Sequence, residues 1–191
     1  MDMNNFIDTY FIDFKNVLEK FLKIDKNKLN LNKCIEILKS TKINDKNIFI
    51  IGNGGSSAIA DHMAIDFTKN AGLRAFSLTG SPTITTFAND FGYEYMFQKA
   101  LEHYCKKGDV IIAISGTGTS KNILKACEYA KNNCIKIISF SGFEKDNPLS
   151  KKGDVNFWVE SKAFGYLEII HNLLIHYMCD AIIGRSEYMI R

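Results

Sequence analysis

Two segments of the sequence place an apolar strand, a polar turn rich in glycine and a helical pattern in direct succession. The apolar run 48–51 leads into Gly52-Asn53-Gly54-Gly55-Ser56-Ser57, and the run 110–114 leads into Ser115-Gly116-Thr117-Gly118-Thr119-Ser120. Glycine lets a backbone approach an anion closely, and the free amides at a helix start favour negative charge. The two turns together predict one site for a phosphorylated small molecule.

The side chains of these turns indicate how such a ligand is held. Asn53 can offer its amide to a sugar hydroxyl, whereas Ser56 or Ser57 either caps the following helix or meets a phosphate. A glycine-assisted turn with a serine cap is the alternative for this segment taken alone. The second turn carries four hydroxyls, and its two glycines let the backbone wrap around a ligand; both features suit a phosphate monoester. Its residues are Ser115, Gly116, Thr117, Gly118, Thr119 and Ser120. The glycines of the first turn lack the spacing of a dinucleotide loop, and no GKS or GKT sequence follows as in a triphosphate loop, so we expect no nucleotide cofactor.

Ionisable residues stand out on two of the predicted helices. His62 and Asp66 are four residues apart and share one helix face, although an exposed, solvent-facing pair is the alternative. Near the end of the chain, Glu168 and His176 fall on nearly one face of an apolar helix, with His171 on its flank. Buried ionisable groups are costly unless they are paired or used, so we expect a functional role here. Glu168 and His171 are predicted to contact the substrate.

The order of the elements predicts an α/β fold. Strands of four or five largely β-branched residues alternate with helices, which is typical of a parallel sheet covered on both faces. Ligands of such sheets bind beyond the carboxyl ends of the strands, where both turns emerge. The predicted strands are 48–51, 74–78, 110–114, 135–139 and 155–159; the predicted helices are 6–21, 31–40, 56–69, 83–88, 94–105, 120–132 and 165–183.

Composition limits the class of protein further. The chain has 191 residues, 46% of them hydrophobic and 24% charged, with a formal charge of +3, which indicates one folded domain without an obvious nucleic-acid surface. No signal peptide or membrane-spanning run is expected. The five cysteines lack metal-like spacing and indicate reduced, mostly buried thiols of a cytoplasmic protein. Residues 1–45 are interpreted as helices for oligomerisation, packed with a domain over 46–191.

With these residues in view, the chain resembles the sugar isomerase (SIS) domain family, and within it the phosphoheptose isomerases. The motifs that carry the resemblance are Gly52-Asn53-Gly54-Gly55-Ser56, Ala88-Asn89-Asp90-Phe91-Gly92-Tyr93, and Lys107-Gly108-Asp109 leading into 115–120. The resemblance implies a five-stranded parallel sheet sandwiched by helices in three layers. It also implies a homotetramer with sites built between subunits.

The resemblance assigns roles by position. Asn53, Gly54 and Gly55 would line the sugar, and Asn89 and Asp90 would contact its hydroxyls. Ser115, Thr117 and Ser120 would hold the phosphate. The family's histidine and glutamate fall on His62 and Asp66, and its glutamine and second histidine fall on Glu168 and His176. These four positions can also bind a zinc ion.

Three departures from the family pattern affect the chemistry. Asp66 is one methylene shorter than the family's glutamate, and Glu168 replaces an amide with a carboxylate. The family's aspartate near the start of the last helix is replaced by Gly165. The resulting two acids and two histidines form a good set of ligands for a divalent metal.

The expected activity is an aldose–ketose isomerisation of sedoheptulose 7-phosphate through an enediol, for heptose and surface-polysaccharide precursors. Asp66 or Glu168 would transfer the carbon-bound proton, and His176 would move the hydroxyl and carbonyl protons. Two alternatives stay open: an isomerase of another sugar phosphate, and a non-catalytic regulator that binds a phosphosugar. No nucleic-acid or membrane partner is expected.

Overall fold

Five parallel strands form the centre of the structure, a computed structural model that describes residues 3–188. The spatial order of the strands is β2-β1-β3-β4-β5. The strands are β1 (Asn47–Gly52), β2 (Arg74–Ser77), β3 (Val110–Ile114), β4 (Lys136–Ser141) and β5 (Val155–Trp158). The helices are α1 (Met3–Lys23), α2 (Asp25–Ile43), α3 (Gly55–Lys69), α4 (Ser81–Phe91), α5 (Met96–Tyr104), α6 (Lys121–Asn132) and α7 (Phe164–Ile183), with a short 3-10 turn at Leu149–Lys151.

Alternate residues of the central strands enter two separate cores. In β1, Ile48 and Ile50 pack on one face of the sheet, whereas Phe49 and Ile51 pack on the other. The register pairs Ile50 with Ile112 of β3, so paired residues of the two strands bury their side chains on the same face of the sheet. Burial on both faces explains why these strands are continuous apolar runs rather than alternating ones.

Each core is covered by its own layer of helices. The first face packs against α1, α2, α3 and α7, and the second packs against α5 and α6 with α4 at the margin. The predicted three-layer α/β sandwich with a five-stranded parallel sheet is therefore confirmed. The layered arrangement brings the starts of α3 and α6 to the same edge of the sheet, because both follow the carboxyl ends of neighbouring strands.

The N-terminal helices are longer than their apolar spacing indicates. The second helix begins at Asp25 rather than near Leu31, because its first turns are polar and carry no apolar stripe. Phe21 of α1 is buried in the first core, and Tyr10 packs edge-on against Tyr166 of α7 with ring centroids 4.9 Å apart. Phe11 on the outer side of α1 stays 65% exposed.

The cysteines match the expectation of mostly buried thiols. Cys34, Cys105, Cys127 and Cys179 are buried and Cys134 is exposed, and all five are free. Burial raises the pKa of the Cys34 and Cys127 thiols to about 12, which makes them poor nucleophiles. Among residues 3–188, no helix has the length and apolar character needed to cross a membrane.

Candidate active site

The first turn is built around a close approach of strand and helix. Gly54 precedes α3 with φ of 55°, a conformation that favours glycine. A Cβ on Gly52 would overlap the backbone of Ser56, so the strand end and the first helical turn are in direct contact. Ser56 is buried, and α3 has no side-chain cap, so the predicted serine cap is absent. The amides of Ser56 and Ser57 donate instead to the carbonyl oxygens of Asn53 and Gly54, so the backbone of the turn itself satisfies them.

A carboxylate from α7 lies beside the start of α3. A Cβ added at Gly55 would overlap the carboxylate of Glu168, which shows that this carboxylate lies against the start of α3. The position is electrostatically favourable because helix N-termini attract negative charge. Glu168 is thus placed beside the turn that is predicted to line the sugar. Any residue larger than glycine at position 55 would displace it.

The second turn has the geometry of an anion-binding loop. Ser115 donates to Ser120 across the turn at 3.1 Å, and the Thr117 and Thr119 hydroxyls lie 2.8 Å apart. Ser120 is the N-cap of α6 but makes no side-chain capping bond. The Ile123 amide donates to Asn122 Oδ1 at 3.0 Å, so the amides that precede it in this turn are the ones that can meet an anion. This arrangement suits the phosphate contacts that the sequence predicts for Ser115, Gly116, Thr117 and Ser120.

A buried asparagine fixes the outer side of the same loop. Gly118 has φ of 68°, and a Cβ there would overlap the side chain of Asn147. Asn147 is buried and donates to Ser141 and to backbone carbonyls of its own loop. The turn is therefore held from outside by a residue that sequence reasoning missed. No local sequence signal marks it, because its role depends on packing between two loops.

Three of the four predicted metal ligands come together between α3 and α7. Asp66 Oδ2 lies 3.4 Å from His62 Nε2 and 3.6 Å from His176 Nδ1. The two imidazole rings meet edge-on with centroids 5.1 Å apart. One ligand atom from each residue lies within 4.8 Å of the others, which is compatible with a shared metal ion. The side chains are partly open to solvent, at 57% for His62, 20% for Asp66 and 36% for His176.

Glu168 does not belong to this group of three. It precedes His176 by eight residues of helix, a rise of about 12 Å, and its carboxylate is at Gly55 instead. The contacts show that α3 and α7 run in the same direction and meet at two levels. Glu168 contacts α3 at the turn where α3 begins. His62, Asp66 and His176 meet further along the two helices.

His171 is placed differently from the other ionisable residues of α7. Its ring is fully buried against Phe140, with Nε2 3.3 Å from the carbonyl oxygen of Ser141. Burial lowers its pKa to about 4, so the ring is neutral at physiological pH. His171 faces the sheet because it lies on the flank of α7, away from the contacts with α3. Its placement among core residues gives no support to the predicted substrate contact.

The segment after α4 reaches the first turn through an aromatic side chain. Tyr93 donates to Asn53 Oδ1 at 3.0 Å, so the end of this segment lies beside the predicted sugar site. Asn89 and Asp90, in the last turn of α4, are exposed and joined by a 2.9 Å hydrogen bond. Asn53 is also paired with the buried Asn122 of α6. Asn122 was not singled out from the sequence, and Tyr93 was quoted only as the last residue of a motif, without a role of its own.

The chain is similar to known proteins over most of its length. The SIS domain family matches residues 9–142. The chain belongs to the SIS domain family. A phosphoheptose isomerase of Helicobacter pylori is 38% identical over 188 residues, which cover 94% of this chain and 95% of that protein. The predicted resemblance is therefore confirmed.

Solved structures extend the likeness of this SIS domain to nearly its full length. The phosphoheptose isomerase from Neisseria gonorrhoeae has a TM-score of 0.87 at 27% identity, covering 94% of this chain and 98% of that one. The phosphoheptose isomerase from Francisella tularensis has a TM-score of 0.89 at 25% identity, covering 97% and 100%. The N-terminal helices are thus part of the shared fold.

Proposed function

We propose that this protein is an aldose–ketose isomerase that converts sedoheptulose 7-phosphate to D-glycero-D-manno-heptose 7-phosphate. The observation that carries the proposal is the meeting of α3 and α7, which places His62, Asp66 and His176 together and Glu168 at the neighbouring turn. The chain is also more than 30% identical, over nearly its full length, to proteins named phosphoheptose isomerase. Such a product would feed heptose and surface-polysaccharide precursors.

Substrate binding would use the two turns at the edge of the sheet. Hydroxyls of Ser115, Thr117 and Ser120 with the first amides of α6 would hold the phosphate. Asn53, Gly54 and Gly55 would line the sugar, with Asn89 and Asp90 contacting its hydroxyls. Fixing the phosphate at one end orients the carbonyl end for proton transfer.

Isomerisation moves one proton between neighbouring carbons. A carboxylate removes the proton from the carbon beside the carbonyl, which gives an enediol, and the protonated base then delivers a proton to the other carbon, after exchange with solvent in part of the turnovers. The candidates for this base are Asp66 and Glu168, and the structure places them at different levels of the two helices. His176, 3.6 Å from Asp66, would move the proton between the two oxygens.

The group of His62, Asp66 and His176 fits a zinc ion. Two imidazole nitrogens and one carboxylate oxygen, all within 4.8 Å of one another, match the three protein ligands of zinc sites that keep an open position. A bound ion would polarise the substrate carbonyl. With Asp66 used as a ligand, Glu168 at Gly55 would be the carboxylate that is free to act as base.

A homotetramer with sites between subunits is the proposed assembly. One side of α1 exposes Phe6, Ile7 and Phe11, and one side of α7 exposes Ile169, Leu173 and Tyr177. Apolar surfaces of this kind favour contact with another copy of the chain. Residues 3–45 would contribute to that contact as well as to the core. The five free thiols support a reducing compartment, and we place the enzyme in the cytoplasm.

Solvent isotope exchange tests the activity and the base together. Sedoheptulose 7-phosphate incubated in D2O with the protein should gain deuterium at the carbon next to the carbonyl while the aldose forms. Asp66→Asn and Glu168→Gln remove one candidate base each, and the variant that abolishes exchange identifies it; a loss of about 10²-fold or more is expected. Glu128→Gln, on the exposed side of α6, is the matched control.

The outcomes separate the alternatives. Full exchange in both Asp66→Asn and Glu168→Gln would refute the assignment of the base. Turnover of a different sugar phosphate in a panel would show an isomerase with another substrate. Tight binding of sugar phosphates without any proton exchange would show a regulator instead of an enzyme.

A further inference from the structure

Asn53 is held by a reciprocal pair of hydrogen bonds. Its Nδ2 donates to Asn122 Oδ1 at 3.0 Å, and Asn122 Nδ2 donates back to Asn53 Oδ1 at 2.9 Å. Two amides that pair in this way lie nearly in one plane. Asn122 is 2% exposed, so its side of the pair is shielded from water.

The phenol of Tyr93 completes the arrangement. Its hydroxyl donates to the same Asn53 Oδ1 at 3.0 Å, so that oxygen accepts two hydrogen bonds. An amide nitrogen carries two hydrogens, and one of those on Asn53 Nδ2 goes to Asn122. The other is left for a ligand, and the pairing fixes its direction. Asn53 can therefore act only as a donor to a substrate hydroxyl or carbonyl oxygen.

The three residues join three separate segments. Asn53 belongs to the turn after β1, Asn122 is the second residue of α6, and Tyr93 follows α4. The first turn of α6 is also the end of the proposed phosphate loop. Asn122 thus connects the phosphate end of the site to the sugar end through one buried contact.

We propose that Asn122, assisted by Tyr93, is a positioning residue that fixes the Asn53 amide as a donor to the substrate. The inference rests on the proposed isomerase site, in which Asn53 contacts the sugar. Asn122 does not itself need to touch the substrate. Its effect passes through Asn53, and this gives a specific expectation for combined variants.

A double-variant cycle measures that dependence. Asn122→Ala should lower kcat for sedoheptulose 7-phosphate by about 10- to 100-fold, because a freed amide loses its alignment with the reacting carbons. Inorganic phosphate should compete with substrate at an unchanged inhibition constant, since the phosphate loop is intact. In an Asn53→Ala background, Asn122→Ala should change kcat by less than about twofold, because the side-chain amide that Asn122 positions is then absent.

A second variant guards against a folding defect in the buried position. Tyr93→Phe removes only the exposed hydroxyl and should lower kcat by a smaller factor, again only when Asn53 is present. Asn133→Ala is the matched control, because Asn133 is an exposed asparagine at the other end of α6. It should retain the wild-type kcat and KM.

The results decide the inference independently of the proposed activity. Multiplicative effects of Asn53→Ala and Asn122→Ala would overturn it, as would a weakened inhibition by phosphate in Asn122→Ala with kcat unchanged. If the wild-type protein turns over no sugar phosphate, the proposed function fails. The same cycle is then measured on sugar-phosphate affinity by calorimetry, where additive losses would overturn the positioning role.

Discussion

Acidification from pH 7 to pH 5 should lower the free energy of unfolding, and the buried ring of His171 should account for about 2 kcal/mol of that loss. The ring is fully buried, and burial lowers its pKa from 6.5 to about 4. In the unfolded chain the ring is solvated and titrates near its ordinary pKa. The unfolded state therefore binds a proton first as the pH falls.

The sign and size follow from this difference. The contribution of the neutral His171 ring to the free energy of unfolding is fully present above pH 6.5. It is lost as the pH falls toward about 4, where His171 of the folded protein also becomes protonated. The complete loss is about 3 kcal/mol, since each unit of pKa difference corresponds to about 1.4 kcal/mol. About half of it occurs between pH 6.5 and pH 5, before most carboxylates of the chain titrate.

Denaturant unfolding at pH 7 and pH 5, at a fixed protein concentration, measures the effect. His171→Gln removes the titrating group while it keeps a polar side chain near the Ser141 carbonyl, so its loss between the two pH values should be about 2 kcal/mol smaller. His103→Gln, an exposed control, should show the wild-type loss. An equal loss in His171→Gln and wild type would refute the reasoning, because the buried ring would then not be the source.

Two further predictions concern the active site. Gly55→Ala should keep the stability of the protein but reduce turnover, because the new Cβ displaces the flexible Glu168 carboxylate; Gly54→Ala, with φ of 55° and open space around it, should instead lose about 1–3 kcal/mol of stability. Thermal unfolding and kcat separate the two, and unchanged turnover in a stable Gly55→Ala would contradict the role of Glu168. Metal analysis of unchelated protein should find about one zinc per chain, lost in His62→Ala and His176→Ala and retained in His103→Ala. A metal-free, fully active wild type would exclude the zinc site.

The sequence determined the sheet and its layers, because strands that are buried on both faces of a sheet consist mostly of apolar residues. The strands are short apolar runs, and the helices between them have their own periodicity, so their order already implied a parallel sheet. The two glycine turns were equally visible. A turn that brings backbone to an anion needs particular residue types at adjacent positions, such as Gly54 with its positive φ.

The contacts between distant segments were decided only by the tertiary structure. Helix periodicity placed Glu168 and His176 on one face of α7, but their partners depend on how α3 lies beside it. That packing brings His176 to Asp66 and Glu168 to Gly55, and it turns His171 into the core. Likewise, the pairing of Asn53 with Asn122 joins residues 69 positions apart and leaves no local pattern. The local sequence determines the backbone conformation of each segment, that is, its helices, strands and turns. Which side chains from separate segments come into contact depends on the packing of the whole chain.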